Sequence, residues 1–154
     1  MDAMTILRRC RKAREDIAGL EQRIAQRRMA MDSLSAPQAD PNGGSRGSGD
    51  PDKIGRMIAD IDQLERKLEA RKEARNAEVA AACALLDMVP NLESKVLYAY
   101  YVQGKDTPAI ARKEKYQAAY VRKVKRAGEQ MLGMLSAERV EMTLPHWYLE
   151  KYGE

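Results

Sequence analysis

Residues 91–132 read NLESKVLYAYYVQGKDTPAIARKEKYQAAYVRKVKRAGEQML, and their turn and cap signals cut the stretch into three helices. Pro90 and Asn91 break whatever precedes, with Asn91 placed to act as an N-cap. Residues 92–102 then carry an apolar face of Leu92, Val96, Leu97, Tyr100 and Tyr101, the spacing of a helix buried on one side. Gly104 closes that helix, as a glycine in the left-handed conformation does. Asp106 or Thr107 caps a short second helix, with Pro108 in its first turn and Ile110 and Ala111 turned inward. A turn over 115–117 leads into a third helix over 118–135.

At about 100° of rotation per residue, the third helix places Val121, Val124, Gly128, Met131, Leu132 and Leu135 on one side. Ala119, Arg122, Lys123 and Arg126 point the opposite way. An apolar stripe that seats the helix on two supports suits a recognition helix, with cations outward and small Ala118 and Ala119 allowing close approach to base edges. Lys113, Lys115 and Lys125 lie to the side, where they would meet phosphate. A solvated basic face on an ordinary three-helix bundle has the same pattern, so periodicity alone leaves both readings open. Charge is concentrated here. Residues 90–135 hold nine basic and four acidic side chains, a balance of +5 in a chain whose formal total is +4. Clustered positive charge points to a polyanionic partner, although solubility alone can account for such faces.

Working outward, a heptad seam precedes this segment. Ile6, Cys10, Ala13, Ile17, Leu20, Ile24, Met31 and Leu34 step by three and four, with Arg27 in the one missing place. The seam resumes at Ile54, Ile58, Ile61, Leu64 and Leu68, and again at Val79, Ala82, Leu86 and Val89. Between the two runs lies SAPQADPNGGSRGSGD, residues 35–50, of linker composition and expected to be disordered. The simplest packing is an antiparallel hairpin about 45 Å long, with Arg27 opposite Asp60. A parallel dimer of each helix is the competing arrangement. The expected fold is therefore all-α: an N-terminal antiparallel coiled-coil hairpin over 1–89 with a flexible linker at 35–51, a three-helix domain over 90–135, and a tail over 136–154. In the tail, His146, Trp147, Tyr148 and Tyr152 either cap the small domain or dock a partner.

Several function classes lack their parts. Cys10 and Cys83 are far apart with no CxxC, which reads as two reduced thiols in a cytoplasmic protein. The longest apolar run, residues 79–86, is too short to span a bilayer, and Arg8, Arg9, Arg11 and Lys12 precede any apolar stretch, so no signal peptide or membrane partner is expected. No Cys/His cluster has zinc spacing, so neither metal nor cofactor is expected. His146 has no nucleophile motif around it, and the glycines of NGGSRGSG lack the GK[ST] ending of a phosphate loop. No enzymatic activity and no catalytic residue are expected.

The 91–132 stretch resembles the region-4 helix-turn-helix of bacterial sigma factors. The matching positions are Leu97, Tyr101, Gly104, Ile110, Ala111, Tyr116 and Val121. With a charged helical pair in front, the layout is similar to small phage-borne proteins of that type, akin to phage late-gene transcription regulators. The resemblance covers residues 90–135, and two positions depart from it: Lys115 stands where the family has Gly, and Gln117 where it has a capping Ser or Thr. It implies a sequence-specific transcription regulator, phage or prophage encoded, that reads duplex DNA with the helix over 118–135. Two alternatives stay open: a sigma-like module that contacts RNA polymerase, and a phage DNA-packaging or assembly component. Dimeric regulators read two half-sites, and the charge alternation around Arg71, Lys72 and Arg75 suits a homodimer through the coiled coil.

Overall fold

In a computed structural model, which describes residues 1–35 and 51–153, the chain is all-helical. The linker expected over 35–51 falls, apart from its ends, outside the described residues. Seven α-helices are seen among the described residues: α1 (Ala3–Ser35), α2 (Pro51–Leu86), α3 (Asn91–Leu97), α4 (Thr107–Glu114), α5 (Ala118–Gly133), α6 (Ala137–Thr143) and α7 (His146–Tyr152). A π-helical turn, Tyr98–Val102, continues α3. Asp2 starts α1 by accepting from the Met4 amide at 3.3 Å and the Thr5 hydroxyl at 3.2 Å, which satisfies a donor that the first turn leaves orphaned.

Two compact units divide the chain, one of residues 16–72 and the other of residues 1–15 with 73–154. In the 16–72 unit, α1 and α2 meet through Asp16 and Arg71 at 3.6 Å, and through the pairs Arg27 with Asp60 and Arg28 with Glu65. Asp16 meets Arg71, while Arg27 and Arg28 further along α1 meet Asp60 and Glu65 earlier in α2, so the helices are antiparallel here, and Arg27 meets the carboxylate that the seam register assigns it. Ile17, Leu20, Ile24 and Ile61 are buried between them. Beyond that point the expected seam does not close. Leu34, Ile54 and Ile58 are 50%, 38% and 47% exposed, and Met29 beside them is 70% exposed.

The other unit holds two apolar cores. The larger joins Ala3, Ile6, Leu7 and Cys10 of α1 to Ala81, Ala82 and Leu85 of α2, and takes in Tyr101, Leu132, Val140 and Tyr148 from later elements. The smaller is formed by Val96, Ile110, Ala111, Val121 and Val124, with Leu92, Ala99, Tyr100 and Ala118 at its margin. Adjacent residues of α3 serve different cores, Val96 the smaller and Leu97 the larger. At Gly128 a Cβ would stand 2.7 Å from Leu97 Cδ1 and 3.2 Å from Glu93 Cβ, so the absent side chain lets α5 cross α3 at close range.

Four expectations are corrected. Pro90, not Asn91, occupies the cap position of α3, and Asn91 is the first helical residue. The single helix expected over 92–102 widens into the π-turn, whose register is fixed by the Gln103 amide donating to the Tyr98 carbonyl at 3.0 Å. Met131 is 41% exposed, not inward, and α5 ends at Gly133. The divisions expected at 89/90 and 135/136 cut through one continuous core, because the start of α1 and the end of α2 supply apolar surface that α3, α5, α6 and α7 cover. Residues 136–152 are thereby not a loose tail. Ser136 caps α6 by accepting from the Arg139 amide at 3.1 Å, and Tyr148 of α7 is fully buried and donates to Glu78 Oε2 at 2.8 Å. The aromatic cap covers the larger core through Tyr148 and Tyr152, while Trp147 is 49% exposed and His146 pairs with Glu150 at 3.1 Å on the surface.

Tyr148→Ala should accordingly lower the free energy of unfolding by about 3–5 kcal/mol, the range for removing a buried aromatic ring. Trp147→Ala should change it by no more than about 0.5 kcal/mol. Urea denaturation of the two variants checks this, and equal effects would mean that α7 does not seal the core.

Candidate nucleic-acid interface

The segment that presents the cationic face is fixed from behind by two arginines of the long helices. A helix end leaves carbonyl oxygens unpaired, and cations are favoured there. Arg11 donates to the Tyr100 carbonyl at 2.6 Å and to that of Lys105 at 3.5 Å, and Arg75 donates to the Val102 carbonyl at 3.0 Å. The Arg11 guanidinium also lies over the Tyr100 ring, 3.8 Å from its centroid. Lys125 of α5 approaches the same ring at 4.3 Å. Tyr100 thus ties the π-turn to α1 and α5, and Val102 ties it to α2. Gly104 follows it at φ 72°, where a Cβ would meet Arg14 Cγ at 2.9 Å, so this position requires glycine for conformation and for space.

From that anchor the chain enters α4, capped by Asp106, whose carboxylate accepts from the Ala109 amide at 3.0 Å. Lys115 ends α4 at φ 61° and ψ 38°, a left-handed conformation that costs a non-glycine residue about 1 kcal/mol. The Tyr116 amide then returns to the Ala111 carbonyl at 3.0 Å, and Gln117 opens α5 without a side-chain cap. Three residues therefore turn the chain between α4 and α5.

On α5, Val121, Val124, Gly128 and Leu132 are buried. Ala119, Arg122, Lys123 and Arg126 line one shallow surface groove together with Ala127 and Gln130. Lys113 and Lys115 are exposed at the end of α4. Two residues expected at the surface are only partly exposed. Ala118 is half-buried against the smaller core. Lys125 is partly buried, held by Tyr100 and by Glu129 at 2.7 Å, and lines a second surface groove with Thr107, Arg122 and Arg126.

Sequence reading missed other groups. Lys105 lies beside Lys113, whose ammonium pushes the Lys105 pKa down, so two like charges share this edge. Its place next to Gly104, in a loop leading to α4, is the signal that could have found it. Tyr116 and Tyr120 stand exposed at the entry to α5. Lys95, by contrast, is engaged by Glu114 at 2.7 Å, and that contact holds the Glu114 carboxyl below its ordinary range. Set against protein-family models, curated protein sequences and solved structures, the chain matches none of them.

Behind the face, burial controls titration. It pushes the Cys10 thiol from its ordinary 9.0 up to about 11, with Arg75 opposing, and the Tyr101 hydroxyl from 10.0 up to about 12, with Glu129 adding to the rise. The Tyr148 hydroxyl rises for the same reason and because it donates to Glu78. Each folded pKa exceeds the unfolded one, so the folded chain keeps these protons longer and is stabilised by them below the unfolded value; that stability is lost as pH climbs through the folded value. The thermal midpoint should begin to fall above about pH 9 and keep falling toward pH 12. Cys10→Ala should reduce the earliest part of the decline, to which Cys83, its thiol also pushed up by burial, still contributes, and a melting series at rising pH that shows no decline would contradict the burial of these protons.

Proposed function

We propose that α3, α4 and α5 form a helix-turn-helix that binds duplex DNA, with α5 entering the major groove, and that the protein is a sequence-specific transcription regulator of the sigma-region-4-like type. The observation that carries this reading is the shared groove of Ala119, Arg122, Lys123 and Arg126, set opposite the buried stripe of the same helix. Cations outward on a helix that is seated by two others, and preceded by a three-residue turn, are what groove reading requires. Arg122 and Arg126 are the candidates for base contacts, since a guanidinium can bond a guanine through two atoms. Lys105, Lys113 and Lys115 flank them for phosphate. Lys125 positions α5 through Tyr100.

DNA affinity across a salt series, on a selected site and on random duplex, tests the reading. Arg122→Ala or Arg126→Ala should cost about 1–3 kcal/mol on the selected site only. Lys113→Ala should weaken both duplexes alike and make the salt dependence shallower by about one unit of slope. Lys115→Gly should weaken binding in the same way while raising stability by up to about 1 kcal/mol, because the turn is relieved of strain. Absence of binding at low salt would overturn the proposal and favour a protein partner such as RNA polymerase, a reading that the exposed Met131, Met134 and Met142 support.

The paired stretches of α1 and α2 are read as an antiparallel coiled-coil hairpin that joins two copies through its unclosed seam. Ile54, Ile58 and Leu34 leave apolar surface uncovered there, and a two-fold dimer would present two reading heads to two half-sites. Sedimentation at tens of micromolar should give a dimer, and Ile54→Glu with Ile58→Glu should give a monomer. A wild-type monomer would sink this part of the proposal alone.

A further inference from the structure

Two aromatic rings stand where the cationic face begins. Tyr116, in the turn, and Tyr120, on the first turns of α5, are each 43% exposed. Their centroids are 5.3 Å apart with an interplanar angle of 64°, an edge-to-face pair. Both are held by the backbone: the Tyr116 amide bonds the Ala111 carbonyl and the Tyr120 amide the Gln117 carbonyl, each at 3.0 Å. The other tyrosines of this segment are used differently. Tyr101 is buried, Tyr100 is covered by Arg11 and Lys125, and Tyr98, 38% exposed, lies on the π-turn, away from the start of α5 in sequence. Tyr120 follows Ala119 directly and lies about one helical turn before Lys123, two residues that line the groove, while neither ring is itself part of that lining.

A major groove offers hydrogen-bond donors and acceptors and one apolar group, the thymine C5-methyl. Arginine and lysine gain nothing from a methyl group. A rigid ring edge beside them does, because burying a methyl-sized group removes apolar surface from water. Each ring of an edge-to-face pair covers part of the other, which favours contact with small groups at the groove floor over stacking of an unpaired base on an open ring face.

We infer that the Tyr116–Tyr120 pair contacts thymine methyl groups at one edge of the duplex read by α5, so that the protein requires thymine there. The inference rests on the duplex-binding reading and adds a specificity determinant to it. A site is selected from random duplex with the full-length protein. Each thymine is then replaced singly by deoxyuridine, which removes only the methyl. Wild type should lose about fourfold in affinity at one or two positions, the effect of one methyl-sized contact. Tyr120→Ala should bind the parent site more weakly but respond equally to thymine and uracil at those positions, and Tyr120→Leu should restore part of the discrimination. Unchanged melting temperatures of both variants confirm that the fold is kept. A selected site without thymine, or uracil sensitivity that survives both Tyr116→Ala and Tyr120→Ala, would overturn the inference and leave duplex binding standing. Tighter binding of single strands than of any duplex would overturn both.

Discussion

Carbonyl oxygens at the end of a short helix need donors, and here the donors come from far away in the chain. Arg11 and Arg75 bond the carbonyls of Tyr100, Lys105 and Val102. Bonds of this charged kind contribute roughly 1.5–3 kcal/mol each. Their larger effect is positional. The π-turn, the glycine that follows it and the start of α4 are all referred to the two long helices, and α5 is referred to the same place through Lys125 and Tyr100. Without the two arginines, the α3 terminus would keep unpaired carbonyls and the smaller core would lose its fixed wall.

The long helices therefore do more than extend the molecule's chain length. Their residues 1–15 and 73–89 belong to the unit that carries the cationic face. The smaller core has five buried residues, little for three helices to stand on alone. By lending it α3, whose Leu97 is locked into the larger core, the fold gives that small assembly a rigid base. On the proposed reading, a face that fits a groove would benefit from such support, because base contacts tolerate little displacement.

Much of this was legible in the sequence because local punctuation is strong. Gly104, Asp106 and Pro108 mark one boundary, the left-handed Lys115 another, and the Val121, Val124, Gly128 and Leu132 stripe is buried as its spacing indicates. Arg27 meets Asp60 because an antiparallel register has few alternatives once both seams are placed. Long-range pairings were not legible. Nothing local tells that Tyr148 will seal a core floored by α1, or that Lys125 will be drawn onto Tyr100. The π-turn escaped for a related reason, since nothing local in sequence marks the widened register that the Gln103 amide closes on the Tyr98 carbonyl. Ala118 was misplaced by one step of helix rotation, enough to turn it from surface to core margin.

Lys115 has a further consequence. The folded chain holds a charged, non-glycine residue at φ 61°, so the turn is under strain whether or not anything is bound. A polyanion that pairs with this lysine binds the folded state and not the unfolded one, and by mass action returns stability in proportion to its concentration over its dissociation constant. The turn thereby couples two equilibria, occupancy and folding. If such a polyanion binds, the empty protein is the less persistent form, more open to proteolysis through transient unfolding.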